Sequence, residues 1–106
     1  MRIILSTHPT ENAHSFAEQL VNEGLAGCIQ VQERATSIYR WQGATHREVE
    51  SLLTIKTPTE MVSKLRTRFL ELHPYEVPEF LPLSVDETLA NQTYLDWLRG
   101  LDSNTG

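Results

Sequence analysis

The chain has 106 residues, 9 Lys and Arg against 14 Asp and Glu, a net charge of −5 and 40% apolar residues. That is the size of one domain, residues 1–106, and without a basic cluster it lacks the electrostatic footprint of a nucleic-acid binder. The lone Cys28 excludes an internal disulfide or a Cys-x-x-Cys zinc knuckle, and no stretch is long and apolar enough for a signal peptide or membrane insertion, so a cytoplasmic protein is expected.

Ile3, Ile4 and Leu5 form a short apolar run that reads as a buried first strand over Arg2 to Ser6. Thr7 to Glu11 supplies helix-start residues, with Pro9 tolerated only near a first turn. Ala13, Phe16, Ala17, Leu20, Val21 and Leu25 then recur at helical spacing, and Gly24 stands where a left-handed helix stop belongs.

From Cys28 the period becomes two. Ile29, Val31, Ala35, Tyr39 and Trp41 share one face, interrupted by Glu33, and Gln30, Gln32, Arg34 and Arg40 share the other. Gln42 to Thr45 is a turn, after which Val49, Leu53 and Ile55 alternate with Glu48, Glu50, Thr54 and Lys56 to complete a long hairpin. Thr57-Pro58-Thr59-Glu60 has the form of a capping box, and Met61, Val62, Leu65, Phe69 and Leu72 give a second helical stripe.

His73-Pro74-Tyr75-Glu76-Val77-Pro78-Glu79 follows. Its two prolines fix φ and push His73 and Val77 towards extended backbone, so this connector presents its imidazole, phenol and carboxylates from a stiff chain. Phe80 to Val85 is a fourth strand, confined by Pro82 to a sheet edge or broken there. Tyr94, Leu95, Leu98 and Leu101 mark a last helix, and 102–106 is a polar tail expected to fray.

Strand–helix–strand twice over, then a helix, predicts an α+β ferredoxin-like sandwich, with the helices on one face of a four-stranded antiparallel sheet. An arm from Cys28 to Trp41 reaches about 45 Å at strand rise, whereas a compact domain of this length is about 35 Å across. The hairpin therefore overhangs the globule unless a bend or bulge near Arg34–Ser37 folds it back, and with Ile38, Tyr39 and Trp41 near its tip self-association is the reading that needs fewer assumptions.

The chain resembles the CutA family of divalent-cation tolerance proteins. The resemblance rests on Ala26-Gly27-Cys28-Ile29, Ile38-Tyr39-Arg40-Trp41-Gln42-Gly43, Glu50, Ile55-Lys56-Thr57, the connector from His73 to Glu79, and Tyr94-Leu95-Asp96-Trp97-Leu98. It implies a ferredoxin-like protomer in a homotrimer with hairpins paired between subunits, similar in architecture to PII signalling proteins. It also implies a role in tolerance to divalent metals, copper above all, with no established catalytic reaction and no required cofactor. Ligands proposed in some members, a Cys, a His and a Glu, correspond here to Ser6, Leu72 and Glu79, so the thiolate that selects soft copper(I) is missing. Cys28, at the start of the second strand, reads as a buried small apolar residue.

The ferredoxin-like order sets the fourth strand beside the first, which brings Glu79 towards Ser6 and Thr7, with His8 adjacent and His73 at the same end of the second helix. His8, His73 and Glu79 are thus the candidate metal set, and weak divalent-metal binding is the expectation. His14 and His46 read as solvated. Tyr39, Trp41, Glu50 and Tyr75 either line an inter-subunit cleft for a small ligand or pack at a trimer interface. An enzyme is not expected, since no nucleophile–base pair and no phosphate-cradling Gly loop is present. The rival to a metal-tolerance trimer is a PII-like adaptor that binds a metabolite or a protein partner.

Overall fold

The computed structural model describes residues 1–100, so Leu101 and the 102–106 tail lie outside the described residues. The elements run β1 (Arg2–His8), α1 (Ala13–Asn22), β2 (Cys28–Trp41), β3 (Ala44–Thr57), a 3-10 turn (Thr59–Met61), α2 (Val62–Leu72), β4 (Leu81–Ser84) and α3 (Gln92–Leu98). The sheet order is β2-β3-β1-β4, with every neighbouring pair antiparallel. This is the α+β ferredoxin-like arrangement, with β4 and its Pro82 at an edge as the missing amide requires.

Residues of β1 and β3 alternate between two faces. Ile4, Leu53 and Ile55 point to the side covered by α1 and α2, where they pack with Phe16, Leu20, Ala26, Leu65 and Phe69. α1 ends in a Schellman motif: Gly24, at φ 78°, donates to the Val21 carbonyl and Leu25 donates to the Leu20 carbonyl. α3 differs from the expectation of helices on one face. Leu95 and Leu98 pack with Met1, Ile3 and Val85, and Lys56 sits over the Tyr94 ring, so α3 covers one end of the opposite face.

Three local features also depart from the sequence reading. β1 continues through Thr7 and His8, because His8 is buried against the Phe16 ring, and α1 starts only at Ala13 after Asn12 in a left-handed conformation. Thr57 ends β3 instead of capping a helix. Its buried hydroxyl donates to the Leu25 carbonyl at 2.8 Å, and a 3-10 turn intervenes before α2. Cys28 is half-buried rather than enclosed.

The largest departure lies in the hairpin. Between the pairs Gln32↔Leu52 and Ala35↔Glu50, both Glu33 and Arg34 stand opposite Ser51 alone, and Arg34 adopts φ 64°. This bulge reverses the facing of everything beyond it. Ile29 and Val31 lie on the helix-covered side, but Ala35, Tyr39 and Trp41 lie on the other, together with His46, Glu48 and Glu50. The hairpin closes in a two-residue turn at Gln42 and Gly43, both with positive φ, shorter than the four residues expected. It projects from the globule: the chain measures 49 × 28 × 23 Å, with a radius of gyration of 15.0 Å. Among the described residues no helix is long and apolar enough to cross a membrane.

Candidate functional site

The connector owes its shape to three anchors on the sheet. His73, extended as its place before Pro74 requires, donates from Nε2 to the Thr7 carbonyl at 2.7 Å and accepts the Tyr75 amide at Nδ1 at 3.1 Å. Tyr75 then reaches across to β3 and donates its hydroxyl to Glu50 Oε1 at 2.8 Å. At the far end, the buried Ser6 hydroxyl donates to the Glu79 carbonyl at 2.6 Å. The chain between the two prolines is thus held to β1 and β3 by side chains and not by a strand ladder.

The connector and the reversed half of the hairpin enclose a cleft of about 570 Å³ on the face left open by α3. Tyr39, Trp41, His46, Glu48 and Glu50 contribute from the hairpin, Thr7 from β1, and Tyr75, Glu76, Val77 and Glu79 from the connector. Tyr39 donates to Glu48 at 2.6 Å and stacks on His46 at 5.5 Å between ring centroids, while His46 Nε2 donates to the Trp41 carbonyl at 3.3 Å. Burial, followed by its bond to Glu50, pushes the Tyr75 hydroxyl well above the usual phenol range, so it remains a donor. Glu48, beside it, raises Tyr39 as well.

Tyr39, Trp41, Glu50 and Tyr75, expected together, all line this cleft. His46 and Glu48 were missed. Their signal was the hairpin register, which sets His46 opposite Tyr39, and that register becomes legible only once the tight turn is placed.

The candidate metal residues are arranged differently. His8 and His73 are in edge contact at 5.0 Å within a ring cluster that includes Phe16 and Phe69. His8 Nδ1 donates to the Pro9 carbonyl, and both His73 nitrogens are committed to backbone. Burial lowers the His73 pKa, which favours the neutral ring that this pattern of one donor and one acceptor demands. The Glu79 carbonyl does lie against Ser6, but Glu79 lines the cleft, which His8 and His73 do not. Among the described residues no group of three or more His, Cys, Asp or Glu side chains is placed to hold a metal ion.

Residues 2–100 match the family model of the CutA1 divalent ion tolerance protein. The chain belongs to this family. The divalent-cation tolerance protein CutA of Thermus thermophilus is 46% identical over 105 residues, covering 98% of this chain and 97% of that one. The Yersinia pestis protein of the same name is 37% identical over 97 residues, covering 91% and 80%. Among solved structures, the PII-like protein CutA from Nostoc sp. PCC 7120 in apo form superposes with a TM-score of 0.91 at 36% identity, over 95% of this chain and 96% of that one. The Thermus thermophilus protein superposes at 0.86 with 45% identity over the whole of both chains. Ser6, near the end of the first strand, holds the connector in place through its hydroxyl.

Proposed function

We propose that this chain acts as a homotrimeric divalent-cation tolerance protein of the cytoplasm, in a role that is not enzymatic. The observation that carries the assembly is the hairpin beyond the bulge. Ile38 and Val49 are each 63% exposed and Trp41 48% exposed, on a ribbon that the chain's own helices do not reach. Leu81 and Leu83 on the β4 edge are also exposed, giving the protomer a second apolar strip for a neighbouring copy. Sedimentation equilibrium at micromolar concentration tests this: the expected mass is three times 12.1 kDa, and a monomer overturns it.

Divalent metal, copper included, binds weakly in this reading, near His73 and Glu79. A metal at His73 must displace either the Thr7 carbonyl or the Tyr75 amide, and no thiolate is at hand to compensate. Copper(II) titration of the His73→Ala, Glu79→Ala double variant tests the site, and affinity equal to the parent chain overturns it.

A specific observation favours a second reading, a PII-like adaptor that binds a metabolite. A cleft of about 570 Å³ falls within the usual small-molecule range of roughly 300–1,000 Å³.

A further inference from the structure

The cleft has a chemical character of its own. Four glutamates line it, and among the described residues no Lys or Arg does. Its walls carry the rings of Tyr39, Trp41 and Tyr75. Carboxylates beside aromatic faces attract a positive charge twice, by Coulomb attraction and through the negative face of the π-system.

Glu50 makes the cleft more than an acidic surface. Glu50 is 8% exposed, and its Oε1 accepts from Tyr75, while Oε2 has no protein partner among the described residues. A buried carboxylate oxygen without a donor is costly, and such groups in native structures are completed by water, an ion or a ligand. Glu48 has the same arrangement at the exposed end, with Oε1 engaged by Tyr39 and Oε2 free of a protein donor among the described residues.

Size and geometry decide which cation fits. The four glutamates share a cavity of about 570 Å³, and among the described residues no set of three His, Cys, Asp or Glu side chains is placed to hold a metal. A bare ion needs ligands crowded within about 2.0–2.6 Å of one point. An organic cation needs separated acceptors and flat apolar walls.

We infer that this cleft binds a small organic cation, an ammonium- or guanidinium-bearing metabolite, with Glu50 Oε2 as its buried acceptor and Tyr39, Trp41 and Tyr75 as the walls against its charge. This rests on the metabolite-binding reading above and names the ligand class for it. Glu48 supplies the second acceptor near the cleft mouth, which favours a ligand with two donors at some distance from each other.

Calorimetric titration of the full chain with agmatine, tetramethylammonium and ATP tests the inference. Saturable binding of at least one of the two organic cations at millimolar affinity or tighter is expected, with none for ATP. Glu50→Gln, which keeps an acceptor for Tyr75, is expected to weaken that binding at least tenfold. Glu48→Gln, at an exposed position, is expected to weaken agmatine about threefold, and it serves should the Glu50 variant fold poorly. The inference is overturned if neither cation binds, or if both glutamine variants bind like the parent chain. Binding of ATP in place of the cations overturns the ligand class while leaving the metabolite-binding reading intact.

Discussion

Leu53 and Ile55, at the base of the β2–β3 hairpin, are almost fully enclosed, whereas Val49, two residues past Ser51 on the same strand, is largely exposed. Both ends carry the same antiparallel ladder and comparable apolar side chains. What differs is the cover. At the base, α1 and α2 close over one face, and burial of each large apolar side chain there contributes about 1.5–3 kcal/mol. Past the bulge no helix among the described residues follows, and the ladder and a few side-chain contacts such as Tyr39 with Glu48 and His46 hold a two-stranded ribbon, which is marginal in water without further packing. The hairpin is thus a core element for half its length and an uncovered ribbon for the rest.

The sharpest break of this comparison comes from the base. Phe69 is fully buried and its ring meets those of Phe16, His73 and Phe80. Phe69→Ala is expected to cost about 3–5 kcal/mol of stability, read by denaturant unfolding. Trp41→Ala, at the tip, is expected to do the opposite: far-UV circular dichroism stays unchanged while sedimentation shows a weakened assembly, by about 2 kcal/mol or more if Trp41 anchors the contact between copies. A tip variant that unfolds the chain, or a core variant that only dissociates it, would erase the distinction.

A pH titration adds a third readout, because His73 packs on Phe69 in the core and its Nδ1 accepts the amide of Tyr75, whose hydroxyl bonds Glu50 of the hairpin. Its pKa is lowered in the folded chain by burial, against about 6.5 unfolded. Above that value neither state binds the proton and stability is fully present. As pH falls through about 6.5 the unfolded state takes up the proton first, and stability declines until the folded pKa is reached. His73→Gln should flatten this decline in urea midpoints measured across the range. Unchanged pH dependence in that variant would remove His73 as its source.

The smallest effect belongs to the boundary. Arg34 holds a left-handed conformation that costs a non-glycine residue roughly 1–2 kcal/mol, so Arg34→Gly is expected to stabilise the chain modestly, by up to about 1 kcal/mol after glycine's own entropy cost. Deleting Arg34 instead should turn Tyr39 and Trp41 to the opposite face and abolish the cleft, visible as loss of its ligand with the core intact.

The element order, the sheet order and the edge position of Pro82 were legible because hydrophobic period and proline chemistry act locally. The bulge was not. Arg34 carries none of the glycine or asparagine signal for positive φ, and only Glu33, a charge in an apolar row, hinted that the alternation fails there. Thr57 misled for a related reason: capping boxes are read from neighbours in sequence, but its hydroxyl is claimed by Leu25, thirty-two residues away. The cleft was half visible, since Tyr39, Trp41, Glu50 and Tyr75, grouped from the sequence, line one cavity. Whether its carboxylates converge on a metal or spread around a cavity depends on distances that no spacing rule supplies.

Pro82 bears on how far self-association can run. A sheet with two free edges, β2 on one side and β4 on the other, invites head-to-tail stacking, and such contacts yield filaments unless the rotation between copies closes a ring. β4 presents only four residues, and one of them has no amide hydrogen to donate. Continuous cross-β growth through that edge is therefore starved of hydrogen bonds. The same proline that marks β4 as an edge also favours a finite particle over a fibre.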